Sequence, residues 1–425
     1  MSKNFKDYKI AACFIKKLEN LNIRETTDIQ SKIIGRLASE ESVFFSSATG
    51  TGKTFAYLLP FLSKLQEVAD IKNPPEPETL PPQKGLKNFP VLLIIAPTLE
   101  LCSQISNEID FLIKNTSIRS LLAIGSVNPQ RQIETIKKIK PEIIIGSPSR
   151  LLVLAKKKII KFEGLRFLVL DEADRLVSEE MSDDTSGLCK IIMNNARKNG
   201  SSPVITACSA TLNFKCREKL MIFFGGEDIP FIESGVHEIL RDKIEHWAIF
   251  SDKRRKDQTL RSLLSALKSK KGKKSKIKVL VFTSRSDEAS LTLSRLLHHR
   301  IQAAGLFGKI NKKPLSSQER KAALDSFRDG GTEVLVSTDL AARGLDIEGV
   351  THIVALDVPS DSEAYIHRCG RTARAGKCGT MITIGDETQM RLLALLEKKL
   401  KIKVLPKELH YGEVCAPLPV TEDDE

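Results

Sequence analysis

Four apolar residues, Phe167-Leu168-Val169-Leu170, run directly into Asp171-Glu172-Ala173-Asp174. A short unbroken apolar run is the pattern of a strand buried on both faces, and such strands belong to parallel sheets covered by helices. Open α/β sheets present their ligand chemistry at the carboxyl ends of their strands. The segment therefore delivers three carboxylates to the mouth of a sheet. Similar apolar runs recur at 91–95, 121–124 and 143–145, and amphipathic stretches at 101–114 and 130–139 alternate with them. That alternation predicts a doubly wound parallel sheet. A second series begins near Ile244 and includes 278–282, 333–337, 352–356 and 380–384, which predicts a second sheet of similar design.

A chain of 425 residues is too long for one ordinary core and suits two domains. The pattern lapses between Gly225 and Arg241, so the expected division is 1–235, a linker at 236–240, a second domain at 241–412 and an acidic tail at 413–425, unstructured at 421–425. A proline-rich surface loop is expected from Asn73 to Pro82. Residues 268–276, Lys-Ser-Lys-Lys-Gly-Lys-Lys-Ser-Lys, read as either a solvated insertion or a nucleic-acid contact. Apolar runs stay short of the 18 residues that a membrane span needs, and the first seven residues lack the apolar core of a secretory signal. Eight cysteines without a C-x-x-C pair read as reduced packing thiols in a cytosol-like compartment. The net charge of +13 fits a polyanionic partner and equally fits simple solubility.

The motifs decide between those. Ser46-Ser47-Ala48-Thr49-Gly50-Thr51-Gly52-Lys53-Thr54 follows the apolar pair Phe44-Phe45 and precedes a helical pattern expected over 55–65. A phosphate loop points successive backbone N–H groups inward, and Gly50 and Gly52 give the freedom for that turn. Ser47 stands where the generic pattern has its first glycine. Lys53 is expected to reach the β- and γ-phosphates, and the Thr54 hydroxyl to ligate Mg²⁺. The N-terminus of the following helix adds its positive end. Asp171 is expected to hold Mg²⁺ through water, and Glu172 to orient and deprotonate the attacking water. Together these imply a nucleoside triphosphatase using Mg²⁺.

With the phosphate loop and the Asp-Glu-Ala-Asp segment on one chain, the sequence resembles the DEAD-box family of ATP-dependent RNA helicases over almost its whole length. The resemblance implies an α/β fold of two tandem RecA-like domains, each a parallel sheet flanked by helices, with ATP and RNA bound across the cleft between them. It implies an adenine-sensing pair, Phe5 and Gln30, which stand 25 residues apart. Ser47, Thr49, Gly50, Thr51, Gly52, Lys53 and Thr54 would line the nucleotide, and Asp346 would contact its ribose. Ser209-Ala210-Thr211 matches a coupling motif, with Ser209 and Thr211 expected to bond Asp174 or His367. His367-Arg368-Cys369-Gly370-Arg371-Thr372-Ala373-Arg374 resembles the motif whose arginines, Arg371 and Arg374, face the transferring phosphate from one side of a helical turn. Arginine fingers are worth roughly 10³–10⁵ in rate.

The resemblance also implies RNA contacts at Pro97, Thr98, Gly125, Arg150, Ser284, Arg285 and Thr338, made to the backbone and independent of sequence. An aromatic content of 5% with one tryptophan agrees with backbone tracking rather than a row of stacked bases. The chain departs from the family pattern at Asn22, Ile23, Thr26, Leu99, Ser126, Ser149 and Phe307, none of them a phosphate or metal residue. The expected activity is RNA-stimulated ATP hydrolysis coupled to local, non-processive unwinding of short duplexes or to remodelling of RNA–protein complexes. An ATP-gated RNA clamp and a DNA translocase are the competing readings. Expected partners are RNA and ribosome-assembly or RNA-decay proteins. No membrane is expected, and the reading is a monomer in the cytoplasm or, in a eukaryote, the nucleolus.

Overall fold

The computed structural model describes residues 3–72, 90–125, 127–200, 202–270, 277–310, 313–342, 347, 349–359, 361–373 and 377–417. Arg374, Asp346, Ser126, the proline-rich stretch 74–82, the basic stretch 271–276 and the acidic end 421–425 lie outside those residues. The chain divides into two compact units, Met1–Gly235 and Val236–Glu425.

In the first unit the order is α1 (Ala12–Asn20), α2 (Asp28–Ala38), β1 (Val43–Ser47), α3 (Lys53–Lys72), β2 (Leu92–Ile95), α4 (Leu99–Ile113), β3 (Ser120–Ala123) and α5 (Pro129–Ile139). Then come β4 (Ile143–Gly146), α6 (Pro148–Lys156), β5 (Phe167–Asp171), α7 (Ala173–Leu176), α8 (Ser182–Asn199), β6 (Val204–Ser209), α9 (Phe214–Phe223) and β7 (Phe231–Ser234). The seven strands pair in the order β3-β4-β2-β5-β6-β1-β7, every pair parallel. Side chains alternate across a strand. Accordingly Phe167 and Val169 of β5 enter one apolar cluster with α2, α3 and α4, while Leu168 and Leu170 enter another with α6 and α8. The continuous apolar runs exist because both faces are covered.

The helix after the phosphate loop differs from expectation at both ends. It begins at Lys53 and runs to Lys72 with Pro60 inside it. An interior proline costs about 3 kcal/mol in a helix. Burial of Tyr57, Leu58, Leu59, Phe61 and Leu62 offsets that, and the Phe61 ring stacks on Phe167 at 4.5 Å. Packing of an amphipathic face, rather than propensity, carries most helical stability in a protein.

The second unit runs α10 (Val236–Asp242), β8 (Ile244–Phe250), α11 (Lys256–Lys270), β9 (Val279–Thr283), α12 (Ser286–His298), β10 (Ala303–Leu306), β11 (Lys309–Ile310), β12 (Lys313–Pro314) and α13 (Ser317–Asp329). It continues β13 (Val334–Thr338), α14 (Asp339–Ala342), β14 (His352–Ala355), α15 (Ser362–Cys369), β15 (Gly379–Gly385), α16 (Glu387–Leu400), β16 (Val404–His410) and β17 (Glu413–Cys415). Its main sheet has the order β10-β13-β9-β14-β15-β8-β16-β17, parallel as far as β16. β17 turns back antiparallel on β16.

Two boundary expectations change. Residues 236–240, expected as a linker, lie within helix α10, whose last residues pack on β8: His246 of that strand meets the Leu240 carbonyl at 2.9 Å. Residues 413–415, expected at the start of an acidic tail, form the edge strand β17, and Val414 is buried in the unit's core. A polar-looking segment becomes a strand here because a neighbouring edge supplies its ladder hydrogen bonds. All eight cysteines are free thiols. Among the described residues no helix is long and apolar enough to cross a membrane.

Candidate nucleotide and nucleic-acid sites

The phosphate loop joins the carboxyl end of β1 to the first turn of α3. Gly50 (φ 75) and Gly52 (φ 85) take left-handed backbone, as the turn requires. At Gly52 a side chain has no room, since a Cβ would fall 2.2 Å from Gln30 Nε2. That contact is functional in form. Gln30 Nε2 donates to Gly52 O at 3.0 Å, Gln30 Oε1 accepts from Thr27 N at 2.9 Å, and Thr27 Oγ1 donates to Thr51 O at 2.7 Å. The capping box that starts α2 thus doubles as a brace on the loop. Gln30 is 2% exposed. Phe5, expected beside adenine, is 1% exposed, and its ring is spent on the apolar cluster around α1, α2 and α3.

Within the loop, Ser47 Oγ and Thr51 Oγ1 bond each other at 2.7 Å, and Thr51 Oγ1 also reaches Ala48 O. Lys53 Nζ donates to Ser47 O at 2.7 Å and Ala48 O at 2.9 Å. Carbonyls are neutral acceptors. A polyphosphate offers the ammonium charge-assisted bonds roughly twice as strong.

Asp171 ends β5 and is 4% exposed. Its carboxylate is held from three directions. Tyr57 Oη donates to Oδ2 at 2.8 Å, Glu172 N donates to Oδ1 at 2.8 Å, and Cys208 Sγ lies 3.3 Å from Oδ1. Tyr57 comes from α3 and Cys208 from β6. Burial, reinforced by the Asp171 charge, pushes the Tyr57 phenol and the Cys208 thiol well above their ordinary pKa values, so both stay protonated donors. Thr54 and Tyr57 are three apart on α3 and share a face, which places the Thr54 hydroxyl one turn from the group that grips Asp171. A hydroxyl and a carboxylate form an all-oxygen donor pair, which is the chemistry Mg²⁺ takes together with phosphate oxygens and water. These residues fit that ion.

Glu172, next in line, has left-handed backbone (φ 48, ψ 51). A non-glycine residue in that region is strained, and such strain clusters at functional sites. It turns the chain sharply at the strand end, so Asp171 and Glu172 do not share the alternation of a strand. Two residues on, Asp174 Oδ2 accepts from Thr211 Oγ1 at 3.3 Å, which brings the Ser209-Ala210-Thr211 segment after β6 onto the acidic segment after β5. Thr211 N also reaches Ser209 Oγ at 3.4 Å.

On the expected RNA side of the first unit, Thr98 caps α4 by accepting from Leu101 N at 3.2 Å, directly after Pro97. Arg150 Nη2 bonds the carbonyls of Gly125 (2.9 Å) and Val127 (3.2 Å), so the first turn of α6 meets the loop after β3.

In the second unit the centre is Arg368, which the sequence reading passed over. Its side chain is wholly buried. Nε and Nη2 make paired 2.7 Å bonds to Asp339, Nη2 bonds Asp357 Oδ1 at 2.8 Å, Nη1 bonds Asp357 O at 2.7 Å, and the guanidinium lies 5.3 Å from the Phe282 ring centre. Burial alone would lower its pKa, but the two carboxylates outweigh it and raise the value above the ordinary one. Asp357 Oδ2 also accepts from Ser284 N. One cation thereby ties the ends of β13, β9 and β14, and with them Thr338 and Ser284, to helix α15. Arg285 stands just before α12 without a side-chain cap bond and pairs with Asp287 in solvent. Helix α15 ends at Cys369, so Arg371 sits in the turn beyond it, 3% exposed, with Nε donating to the carbonyl of the buried His367 at 3.3 Å.

A braced phosphate loop beside a gripped carboxylate, followed by a second α/β unit with a buried arginine helix, defines a nucleotide-binding protein built on two parallel-sheet α/β units. Comparison with known proteins narrows this. Residues 27–220 match the family model described as DEAD/DEAH box helicase, and 255–376 match the helicase conserved C-terminal domain. The chain is 30% identical over 401 residues to the DEAD-box ATP-dependent RNA helicase CshC of Bacillus cereus, covering 94% of this chain and 92% of that one. It is 31% identical over 412 residues to CshB of Bacillus subtilis, covering 96% and 85%. The chain belongs to the DEAD-box family of ATP-dependent RNA helicases, enzymes that hydrolyse ATP. In fold it resembles Saccharomyces cerevisiae Dbp5 bound to RNA and ADP BeF3 (TM-score 0.78, 23% identity, 96% of each chain) and Mss116p bound to ssRNA and AMP-PNP (TM-score 0.82, 23% identity, 96% and 80%).

Tyr57 and Cys208 were not foreseen as site residues. A tyrosine at i+3 from Thr54 on an otherwise hydrocarbon buried face was the available signal, because buried tyrosines find a partner for the hydroxyl. Cys208 carried none, since a buried thiol is usually packing.

Proposed function

We propose that this chain hydrolyses ATP with Mg²⁺ at the phosphate loop and couples turnover to local, non-processive separation of short RNA duplexes or to remodelling of RNA–protein complexes. The observation that carries this is the grip on Asp171 by Tyr57 of the phosphate-loop helix. It fixes the carboxylate against the same helix that presents Lys53 and Thr54. Lys53 leaves the loop carbonyls for the β- and γ-phosphates. Thr54 and Asp171 would hold Mg²⁺, which when bound would supply positive charge against the phosphate oxygens. Glu172 orients the attacking water and takes its proton. Gln30 reads adenine by exchanging its Gly52 or Thr27 bond for the base edge, beside Phe5, and Asp346 takes the ribose. Arg371 and Arg374 meet the charge that spreads over the transferring phosphoryl group. They belong to a different unit from Lys53 and Glu172, so turnover requires both units.

RNA supplies the second ligand at Pro97, Thr98, Gly125, Arg150, Ser284, Arg285 and Thr338. The Thr211–Asp174 bond links the acidic segment to the segment after β6, and by linkage RNA affinity and ATP affinity rise together. Stacking averages about 1.4 kcal/mol per DNA step, so prising open a few steps of a short duplex is within reach of one ATP cycle. Ribosome-assembly or RNA-decay complexes in the cytoplasm are the proposed setting, with the chain acting as a monomer.

The test is an ATPase assay with matched RNA and DNA strands, run beside strand displacement. Lys53→Ala and Glu172→Gln should each abolish RNA-stimulated turnover while leaving the fold intact by circular dichroism. Unchanged hydrolysis in Glu172→Gln would remove that residue from its role. Hydrolysis without displacement would favour a clamp, and equal stimulation by DNA would set aside RNA as the ligand.

A further inference from the structure

The second unit carries a cleft of about 800 Å³ that none of the motifs above uses, between α11 and the β16–β17 hairpin. One wall is a stripe of α11, Gln258, Ser262 and Ser265, spaced so that they fall on one face, with Arg255 in the turn just before the helix. The other wall holds Lys407 and His410, with Glu408 bonded to the His410 ring at 2.6 Å. Lys253 and Arg254 stand exposed in the turn that leads to Arg255.

Two exposed aromatics flank this polar channel. Phe250, the last residue of β8, is 63% exposed and lines it. Tyr411 lies between the lining residues His410 and Gly412, at the tip of the hairpin, and is fully exposed. Since His410 pairs with Glu413, Tyr411 and Gly412 form a two-residue turn, and both have positive φ (48 and 80). Turns of that type favour Asn-Gly, and an aromatic residue at the first position is strained. The tip therefore holds an aromatic ring in solvent at a backbone cost, with no core packing in return. That combination points to a ligand.

Position suggests which ligand. β8 and β16 run parallel to β15, β14 and β9, so Phe250 and the end of β16 lie on the same sheet edge as Ser284. Three strand spacings separate β8 from β9, about 14 Å along that edge. Cations and hydroxyls suit a phosphate backbone, and exposed rings suit unpaired bases, which stack without regard to sequence. The core of a protein-docking face is depleted of charge, whereas Arg255 and Lys407 line this channel beside the apolar Ile249 and Leu409.

We infer that the α11 and β16–β17 channel is an accessory site for single-stranded RNA, in which Phe250 and Tyr411 stack on bases and Arg255 and Lys407 hold the backbone as it continues past the Ser284 edge. The inference rests on the RNA-binding reading above. The experiment measures fluorescence anisotropy of the full chain with a non-hydrolysable ATP analogue, using RNA strands of about 8 and about 30 nucleotides, one inside and one beyond the span of a single-fold site. The Phe250→Ala/Tyr411→Ala double variant should bind the long strand roughly ten-fold more weakly and the short strand unchanged, given what a stacked base contributes. Tyr411→Phe should restore most of the long-strand affinity, and basal ATPase should not move. Arg255→Ala should reduce the slope of long-strand affinity against salt by about one unit. Equal long-strand affinity in the double variant and the unmodified chain would overturn the site. If the unmodified chain binds neither strand, the broader RNA reading fails and takes this site with it.

Discussion

Asp171 is where single residues matter most. The sequence shows a carboxylate after an apolar strand, but the structure shows what aims it: the Tyr57 hydroxyl at 2.8 Å, the Glu172 amide and the Cys208 thiol. Each of these donors is uncharged, and together they fix the Asp171 rotamer. Tyr57→Phe keeps the packing and deletes one hydrogen bond to a charged acceptor. It should lower stability by about 1.5–3 kcal/mol in urea unfolding. It should also raise the Mg²⁺ concentration that half-saturates nucleotide binding, read by calorimetric titration. Unchanged Mg²⁺ dependence would show that Asp171 aims itself. Gln30 illustrates the same economy. Its amide closes a helix cap and braces the phosphate loop at once, so the group proposed to read adenine is already wired to the group proposed to hold phosphate.

Among elements, α15 stands out because one buried side chain fastens it to three strand ends. Arg368 uses its planar fork on Asp339 and Asp357, and Asp357 passes the connection to Ser284. Removing one member of a buried ion cluster leaves uncompensated charge, which costs about 3–5 kcal/mol. Arg368→Met should destabilise the second unit by that amount in denaturant unfolding. Arg368→Lys should recover little of it, because a point charge cannot replace a two-pronged contact. Full recovery by lysine would mean that charge alone matters here. Helix α3 teaches the complementary lesson. Its interior proline would stop it in isolation, and the stacked Phe61–Phe167 pair and a buried flank carry it through to Lys72.

Across the molecule, each unit is built on its own mainly parallel sheet with its own apolar core, and the second buries a histidine that responds to pH. His246 of β8 bonds Tyr365 through Nδ1 and the Leu240 carbonyl through Nε2, both at 2.9 Å. Burial lowers its pKa below the ordinary 6.5. A histidine whose folded pKa lies below its unfolded value binds its proton more readily when unfolded. Its contribution is therefore complete above about pH 6.5 and is lost as pH falls from there towards the folded value. The thermal midpoint of the second unit should drop as pH falls from about 7 to 5, and His246→Asn should flatten that dependence. A midpoint equally sensitive to pH in the variant would place the titrating group elsewhere.

The sequence by itself determined the local chemistry of this protein. Apolar runs marked the central strands of both sheets, since a strand covered on both faces has little choice of residue, while the less buried β7, β10 and β16 carried no such run. Glycines with a lysine and a threonine marked the phosphate loop, and the carboxylates after Leu170 marked its counterpart. These signals are legible because they concern neighbours along the chain. Only the tertiary structure decided which distant groups those residues would meet. Tyr57 and Asp171 are 114 residues apart, and Arg368 lies 29 residues from Asp339. The antiparallel edge strand β17 was hidden for a different reason: it turns back on β16 through the two-residue Tyr411–Gly412 turn, and an aromatic at the first turn position is not the usual hairpin signal, so only the β8 edge on which that hairpin sits was a matter of tertiary structure.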